Sequence, residues 1–486
     1  MPNHNANHRS GYPGALALLV LALVFAGCKG MAVKGEREAR EQLNAVTETY
    51  RPLGFHPDLP SLGTNSPLED YLKFALLNEP KVEAAYYDWL ASVERITVQR
   101  SLPDPQLTFQ MDIQDVVTSL MPGLMMNFPG AGKLRAAGAV AAADSQGKYF
   151  AFKAASLESA YELKRSYYRL YFLDEKIRVE RETLVLLSEL EKLARDQNEV
   201  GKVTLQDVLR AQIEQDRLRV ELANLEDSRA PLLASFRAAL GLRADQPTPP
   251  LPNRFESTAL NLNTDKLLET ALQHNTRLKE MEADVRSAEA SIQQAYHARM
   301  PDASIGVMAD VKMSPVLYRP WGTVTLPIWR DKLAAQVAEA QANKRAGEAR
   351  LTAAEISLAV DFAQRAFVFR EATRNLELLQ NQLIPKQLQS LEVARSGYVA
   401  GQIDFFNLTD AQQSFLRFSL DEVEARTQRE LALVELSLIV EGLPTSGTPM
   451  ASSKVGAMTA AASSMGSTGG MLPGGSAPPK KSGQMK

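Results

Sequence analysis

Two hydrophobic periods divide this chain. Gln106-Leu107-Thr108-Phe109-Gln110-Met111-Asp112-Ile113-Gln114 alternates polar and apolar residues without a slip. Successive side chains of a strand point to opposite faces, so this run predicts a strand with one wet and one dry face. Met121 to Pro129 predicts a second strand, with Leu124, Met126 and Phe128 on one face. Pro103, Pro105 and Pro129 bracket the pair, where they interrupt no ladder. A third strand runs through Ala303, Ile305, Val307, Ala309 and Val311, with Ser304, Asp310 and Lys312 opposite. A fourth is predicted over 318–328, with Val324, Leu326 and Ile328 on one face.

Elsewhere the apolar residues recur every three or four positions. A helix starts near Ser66-Pro67-Leu68-Glu69, with proline in its first turn, and runs to about Ser101 with an interruption at Pro80. From Gly130 to about Asn198 there is no proline and little glycine. A helix of that span is about 100 Å long, far beyond the usual globular helix. Leu163, Tyr167, Leu170 and Leu173, then Leu184, Leu187 and Leu190, suit coiled-coil-like packing. A returning helix reaches about Leu240, with a kink or break predicted at Pro231. The second half predicts helices over Thr264–Arg299 and from Arg330 to about Ser396, the latter broken at Pro385.

The halves are copies. Pro103 and Pro301 lie 198 positions apart, as do Pro129 and Pro327. Gly201-Lys202-Val203-Thr204-Leu205-Gln206-Asp207 recurs as Gly401-Gln402-Ile403-Asp404-Phe405-Phe406-Asn407, and Ala211-Gln212 recurs as Ala411-Gln412. Each copy has the chemistry of a helix–turn–helix tip. Glycine ends one helix in the left-handed conformation, and Thr204 or Asp404 caps the next. Thr204 with Asp207 has capping-box spacing. Such self-similarity over a long period marks duplicated architecture. The division read from this pattern is a leader (1–27), a lead-in segment without a core of its own (28–63), a first repeat (64–242), a Pro-rich linker (243–263), a second repeat (264–443) and a low-complexity tail (444–486).

Composition narrows the function. The 486 residues carry a formal charge of −3, and the basic residues are spread along helices, so nucleic acid is not an expected partner. Ala15 to Ala26 is an apolar run of signal-peptide length, ending Val24-Phe25-Ala26-Gly27-Cys28. Small residues before a cysteine resemble a bacterial lipobox. The resemblance implies cleavage before Cys28 and covalent lipid, including palmitate, on that residue. Lys29 after the cysteine favours the outer membrane on the same resemblance. Cys28 is the only cysteine, which excludes a disulfide within the chain and a cysteine-based metal cluster. The tail is rich in Ser, Gly, Ala, Met and Pro and buries too little to fold.

Strands of about ten residues are long enough to cross a bilayer when tilted. Four cannot close a barrel, and an open edge is not tolerated in lipid, so the barrel must be shared between chains. The duplicated order of helix, strand pair, long helix, glycine tip and returning helix resembles the TolC-like outer-membrane efflux protein family. The landmarks are Leu102-Pro103-Asp104-Pro105-Gln106-Leu107, Phe128-Pro129-Gly130-Ala131-Gly132-Lys133, Leu326-Pro327-Ile328-Trp329-Arg330 and Tyr398-Val399-Ala400-Gly401. The strand landmarks look somewhat like the family's heavy-metal branch. The resemblance covers roughly residues 64–443. It implies a mainly helical fold with membrane β structure. As a homotrimer this is a 12-stranded outer-membrane barrel continuous with a periplasmic helical barrel. It further implies a passive exit duct served by a periplasmic adaptor and an inner-membrane pump. The adaptor would dock at Gly201, Lys202, Val203, Gly401, Gln402 and Ile403. The family's acidic constriction maps to Asn407 and Asp410, of which only Asp410 is acidic here. Three copies of Asp410 near one axis would favour cations or make closure pH-sensitive.

Other chemistry finds little support. The mature chain holds only His56, His274 and His297, in separate segments, and no catalytic, phosphate-loop or metal motif accompanies them. No catalysis, bound cofactor or metal is expected. Met121, Met125, Met126, Met308 and Met313 could offer soft ligands, but apolar filling is the plainer role. Two other classes use some of the same features. A periplasmic coiled-coil lipoprotein scaffold shares the leader and helices but needs no strands. A periplasmic adaptor has one hairpin flanked by β domains, whereas this chain has two hairpins and few strands.

Overall fold

The four alternating runs pair as one antiparallel sheet in chain order. The computed structural model describes residues 33–113, 117–251 and 264–441. Cys28, the leader and the tail lie outside those residues, as does 252–263 of the linker. The strands are β1 (Gln106–Ile113), β2 (Val117–Phe128), β3 (Asp302–Asp310) and β4 (Leu317–Thr325). Register sorts the faces. Leu107 opposes Leu124, Leu124 opposes Val307, and Val307 opposes Pro320. One face therefore carries Leu107, Phe109, Leu124, Ile305, Val307 and Val324, all exposed. The other carries Gln106, Thr108, Gln110, Asn127, Ser304 and Thr323, with Ser304 Oγ donating to Asn127 Oδ1 at 2.7 Å. β2 begins four residues before the predicted Met121, because Val117 and Ser119 still find partners in Ile113 and Asp112. β4 ends three residues before the predicted 328. Thr325 takes the last β3 partner, Asp302, and Pro327 has no N–H to continue the ladder.

The helices preceding the sheet are α1 (Lys34–Tyr50), α2 (Leu68–Asn78) and α3 (Pro80–Arg100), with a short 3₁₀ turn at Pro52–Gly54. After β2 come α4 (Lys133–Glu199) and α5 (Leu205–Ala239). The second repeat supplies α6 (Thr264–His274), α7 (Thr276–His297), α8 (Arg330–Leu378), a π turn (Leu379–Leu383), α9 (Ile384–Val399) and α10 (Phe405–Glu441). α4 is unbroken over 67 residues, about 100 Å of rise. α5 passes through Pro231 without a break. Pro231 lies on an exposed face, where the carbonyl its ring leaves unbonded can be hydrated. At Pro385 the predicted break is instead the π turn just before it, whose extra residue takes up the missing N–H while the helix continues.

The lead-in segment holds α1, a helix that joins a shared core. Ala39, Leu43 and Tyr50 pack with Trp89, Val93, Ile96, Ala142 and Phe152. Glu36, buried in α1, accepts from Arg100 Nη2 at 3.1 Å and Thr97 Oγ1 at 3.2 Å of α3, and its other oxygen lies 2.6 Å from Arg100 Nε as an ion pair. At the other end Arg51 is buried. It donates to Leu77 O at 3.1 Å and stacks 4.1 Å from the Tyr50 ring centroid. Three further cores follow the long helices. One joins α2, α4, α5 and α10, one joins α6, α7, α8 and α10, and one lies at the tips.

Candidate functional site: the sheet and the helical tips

The sheet and helices meet at a tied junction. Asp302, opening β3, accepts from Lys133 Nζ and Gly130 N, each at 2.7 Å. This joins the first repeat to the second where α4 leaves the sheet. Leu326, Ile328 and Trp329 are exposed beside it, an apolar and aromatic girdle of the kind found at membrane interfaces. Among the described residues no helix is long and apolar enough to cross a membrane. The sheet, by contrast, has one continuous apolar face. Its outer edges, β1 and β4, each pair on one side only.

The glycine tips lie at the far end of α4 and α9. Gly201 has φ of 72° and Gly401 of 71°. Lys202 N donates to Gln197 O at 2.9 Å, and Gln402 N to Gly397 O at 2.8 Å, the long bond of a Schellman turn in each copy. Thr204 N and Oγ1 both donate to Asp207 Oδ2, at 3.1 and 3.0 Å. In the second copy Asn407 N donates to Asp404 Oδ1 at 2.9 Å. The predicted caps are thus both present. Gly201, Lys202, Gly401 and Gln402 are exposed, while Val203 and Ile403 are half-buried against the tip core. That core brings the two hairpins together through Leu190, Val208, Leu391, Tyr398, Phe405 and Leu408. Arg210 of one tip stacks 5.9 Å from the Phe406 ring of the other. Burial, with Asp207 adding to it, pushes the Tyr398 hydroxyl up to about 12.

Asn407 and Asp410 are both exposed on α10. Asp410 lies on a ridge between two grooves, one of about 380 Å³ shared with α4 and α5, the other of about 800 Å³ shared with α9. Four features escaped sequence reasoning. The first is Glu180 of α4, buried against α5 and raised to about 7 by that burial and by Glu221. The second is Gln412, buried with neither amide atom bonded. The third is a stripe on α5 of Leu205, Leu209, Ile213 and Val220, all exposed. The last is Arg319 on the polar face of β4. Charged and amide residues at helical spacing carry no signal of burial, so only the paired α5 leucines, four apart, could have been noticed.

The sequence profile of outer membrane efflux proteins matches residues 72–242 and 267–440, both repeats. The chain belongs to the outer membrane efflux protein family. Solved structures agree in fold. A membrane protein from Pseudomonas aeruginosa superposes with a TM-score of 0.67 at 19% identity, covering 79% of this chain and 92% of that one. The outer membrane protein VceC of Vibrio cholerae gives 0.64 at 15% identity, covering 77% and 96%. The MtrE outer membrane channel of Neisseria gonorrhoeae gives 0.65 at 16% identity, covering 80% and 94%. No curated protein shows a significant sequence match. This efflux protein is therefore the outer-membrane channel of a tripartite efflux system, a non-enzymatic transporter extending into the periplasm. The family works as trimeric channels with efflux pumps.

Proposed function

We propose that three copies of this efflux protein close one 12-stranded barrel and one helical duct, which passes solutes handed over by a periplasmic adaptor and an inner-membrane pump. One observation carries the reading. A sheet with a continuous apolar face has both edges open, and lipid tolerates neither unpaired edge. The helical layer repeats this state. α5 packs chiefly on α4, so its far flank leaves Leu205, Leu209, Ile213 and Val220 uncovered. At the opposite edge, α8 and α9 leave Ile356, Val360, Phe367 and Val393 exposed. Joining these edges between neighbours covers both.

Within this reading the adaptor docks at Gly201, Lys202, Val203, Gly401, Gln402 and Ile403, and three Asp410 carboxylates form the constriction beside Asn407. The duct conducts in planar bilayers, and Asp410→Ala raises conductance or removes cation preference. Unchanged conductance and selectivity would remove the constriction. Crosslinking at Lys202 captures an adaptor; no adaptor captured there would remove the docking assignment.

Lipid on Cys28 completes the proposal. Val33 packs against Gly138, which is about 8 Å along α4 from the junction at Lys133. That puts the first described residue at the membrane end of α4, the side on which a lipid anchor is needed. Acyl labelling is expected in the wild type and absent in Cys28→Ser; labelling of that variant would refute it. Metal cargo has one observation behind it: Met121, Met125 and Met308 share the sheet's polar face, whereas Met126 faces outward. Silver(I) binding that persists when all three are leucine would leave only the filling role.

A further inference from the structure

We infer that Arg319 gives the membrane section of the duct a ring of fixed positive charge that draws anionic solutes into the barrel. The inference rests on the trimeric-channel reading. It starts from the register of the polar face. Arg319 opposes Met308, Met308 opposes Gly123, and Gly123 opposes Thr108. The next row toward the helices is Trp321, Gly306, Met125 and Gln106. The row beyond it holds Thr323, Ser304 and Asn127. Arg319 is the one charge in these three rows.

The other charges of this face are Asp302 at the helical end, Asp310 in the row next to Arg319 on the loop side (opposite Leu317 and two residues along β3 from Met308), and Asp112 at the loop end. Asp302 is bound by Lys133 at the helical end. Asp310 is buried and accepts from Ser119 Oγ at 2.9 Å and Lys312 N at 3.2 Å. Asp112 opposes Ser119 at the loop end. Within one protomer it lies four residues along β1 from Thr108, and Thr108 lies three strands across from Arg319, so there the two charges are about 20 Å apart. That is more than two Debye lengths at physiological salt. Arg319 itself is exposed, and among the described residues no carboxylate pairs with it.

Arginine is the side chain suited to carrying a fixed charge and to binding carboxylate and phosphate groups. Three copies facing one lumen add their potentials, and the surrounding lipid and protein screen them less than water does. The tip carboxylate Asp410 has the opposite sign and lies at the far end of the helices. The barrel and the tip would thus filter in series with opposed preferences.

The test uses the full-length channel in planar bilayers, with inositol hexakisphosphate added on the side of the β1–β2 and β3–β4 loops. The polyanion blocks the wild-type current at low ionic strength. The block weakens at least tenfold in Arg319→Gln and fades as salt rises. Conduction without block in the wild type, or equal block in Arg319→Gln, overturns the inference while leaving the channel reading intact. Absence of conduction counts against the channel reading instead. A second readout then decides the charge. Trp321 sits two residues from Arg319 on the same face. Iodide quenching of its fluorescence, assigned with Trp321→Phe, falls severalfold in Arg319→Gln while quenching by neutral acrylamide is unchanged. Equal iodide quenching in both proteins overturns the inference.

Discussion

Around Gly201 and Gly401 the backbone is the same turn, yet the residues beside it meet opposite surroundings. Leu205 is 62% exposed, and its counterpart Phe405 is 1% exposed. Gln212 donates to Glu191 Oε1 at 3.0 Å; Gln412, 1% exposed, has no partner for either amide atom. The cause is place in the layer. α10 packs against α4 on one side and α9 on the other, whereas α5 packs chiefly against α4 alone. α9 also presents Leu391 where α4 presents Glu191, so the second glutamine loses its acceptor. The comparison teaches that a duplicated turn fixes local geometry, while the neighbours a helix acquires decide what its side chains experience.

The largest test of that difference is paired truncation. Phe405→Ala should cost roughly 3–5 kcal/mol in urea unfolding of the detergent-solubilised protein. Leu205→Ala should stay within about 0.5 kcal/mol there and act on subunit association instead. Equal losses would break the comparison.

Glu180 lies on the seam that separates the hairpins' environments. Its carboxyl is raised from an ordinary 4.5 to about 7, chiefly by burial and next by Glu221. The protonated form suits the packed seam. Its stabilising effect is therefore complete below pH 4.5 and is lost as pH rises through 7, a change on the order of 3 kcal/mol. Glu180→Gln should flatten this slope in melting curves taken between pH 4 and 8. A slope that persists would place the titration elsewhere.

The glutamines sharpen the contrast further. Gln412→Leu removes two unbonded buried atoms and should raise stability by about 1–2 kcal/mol, while Gln212→Leu should lower it slightly. The smallest contrast is expected at the glycines themselves. Open space surrounds both, so Gly201→Ala and Gly401→Ala should each cost about 1–2 kcal/mol from positive φ alone, and by the same amount. A clear difference between them would mean that the tips are not equivalent turns.

The strands, the tips and the family were legible in the sequence because each rests on a local rule. Alternation in Gln106–Ile113 sorts side chains between two faces whatever the rest of the chain does. Gly201 and Gly401 end their helices because only glycine enters the left-handed region cheaply. Strand ends were less legible. β4 stops at Thr325 because β3 supplies no partner beyond Asp302. The lead-in helix α1 also went unread, since its stability comes from Trp89, Phe152 and the Arg100–Glu36 pair on other helices. Pro231 leaves its helix unbroken, while at Pro385 the expected interruption takes the form of a π turn just before it; exposure in one case and the π turn in the other absorb the missing hydrogen bond.

By itself the sequence determined the periods, the duplicated order of elements and the turn chemistry at both tips, since these depend on residues a few positions apart. Tertiary structure alone decided that the two repeats share one sheet, that Met121, Met125 and Met308 lie on the same face as Arg319, and that Phe405 is buried while Leu205 is not. Those outcomes depend on register and on the neighbours of each helix, which residues hundreds of positions apart supply only when the chain has folded.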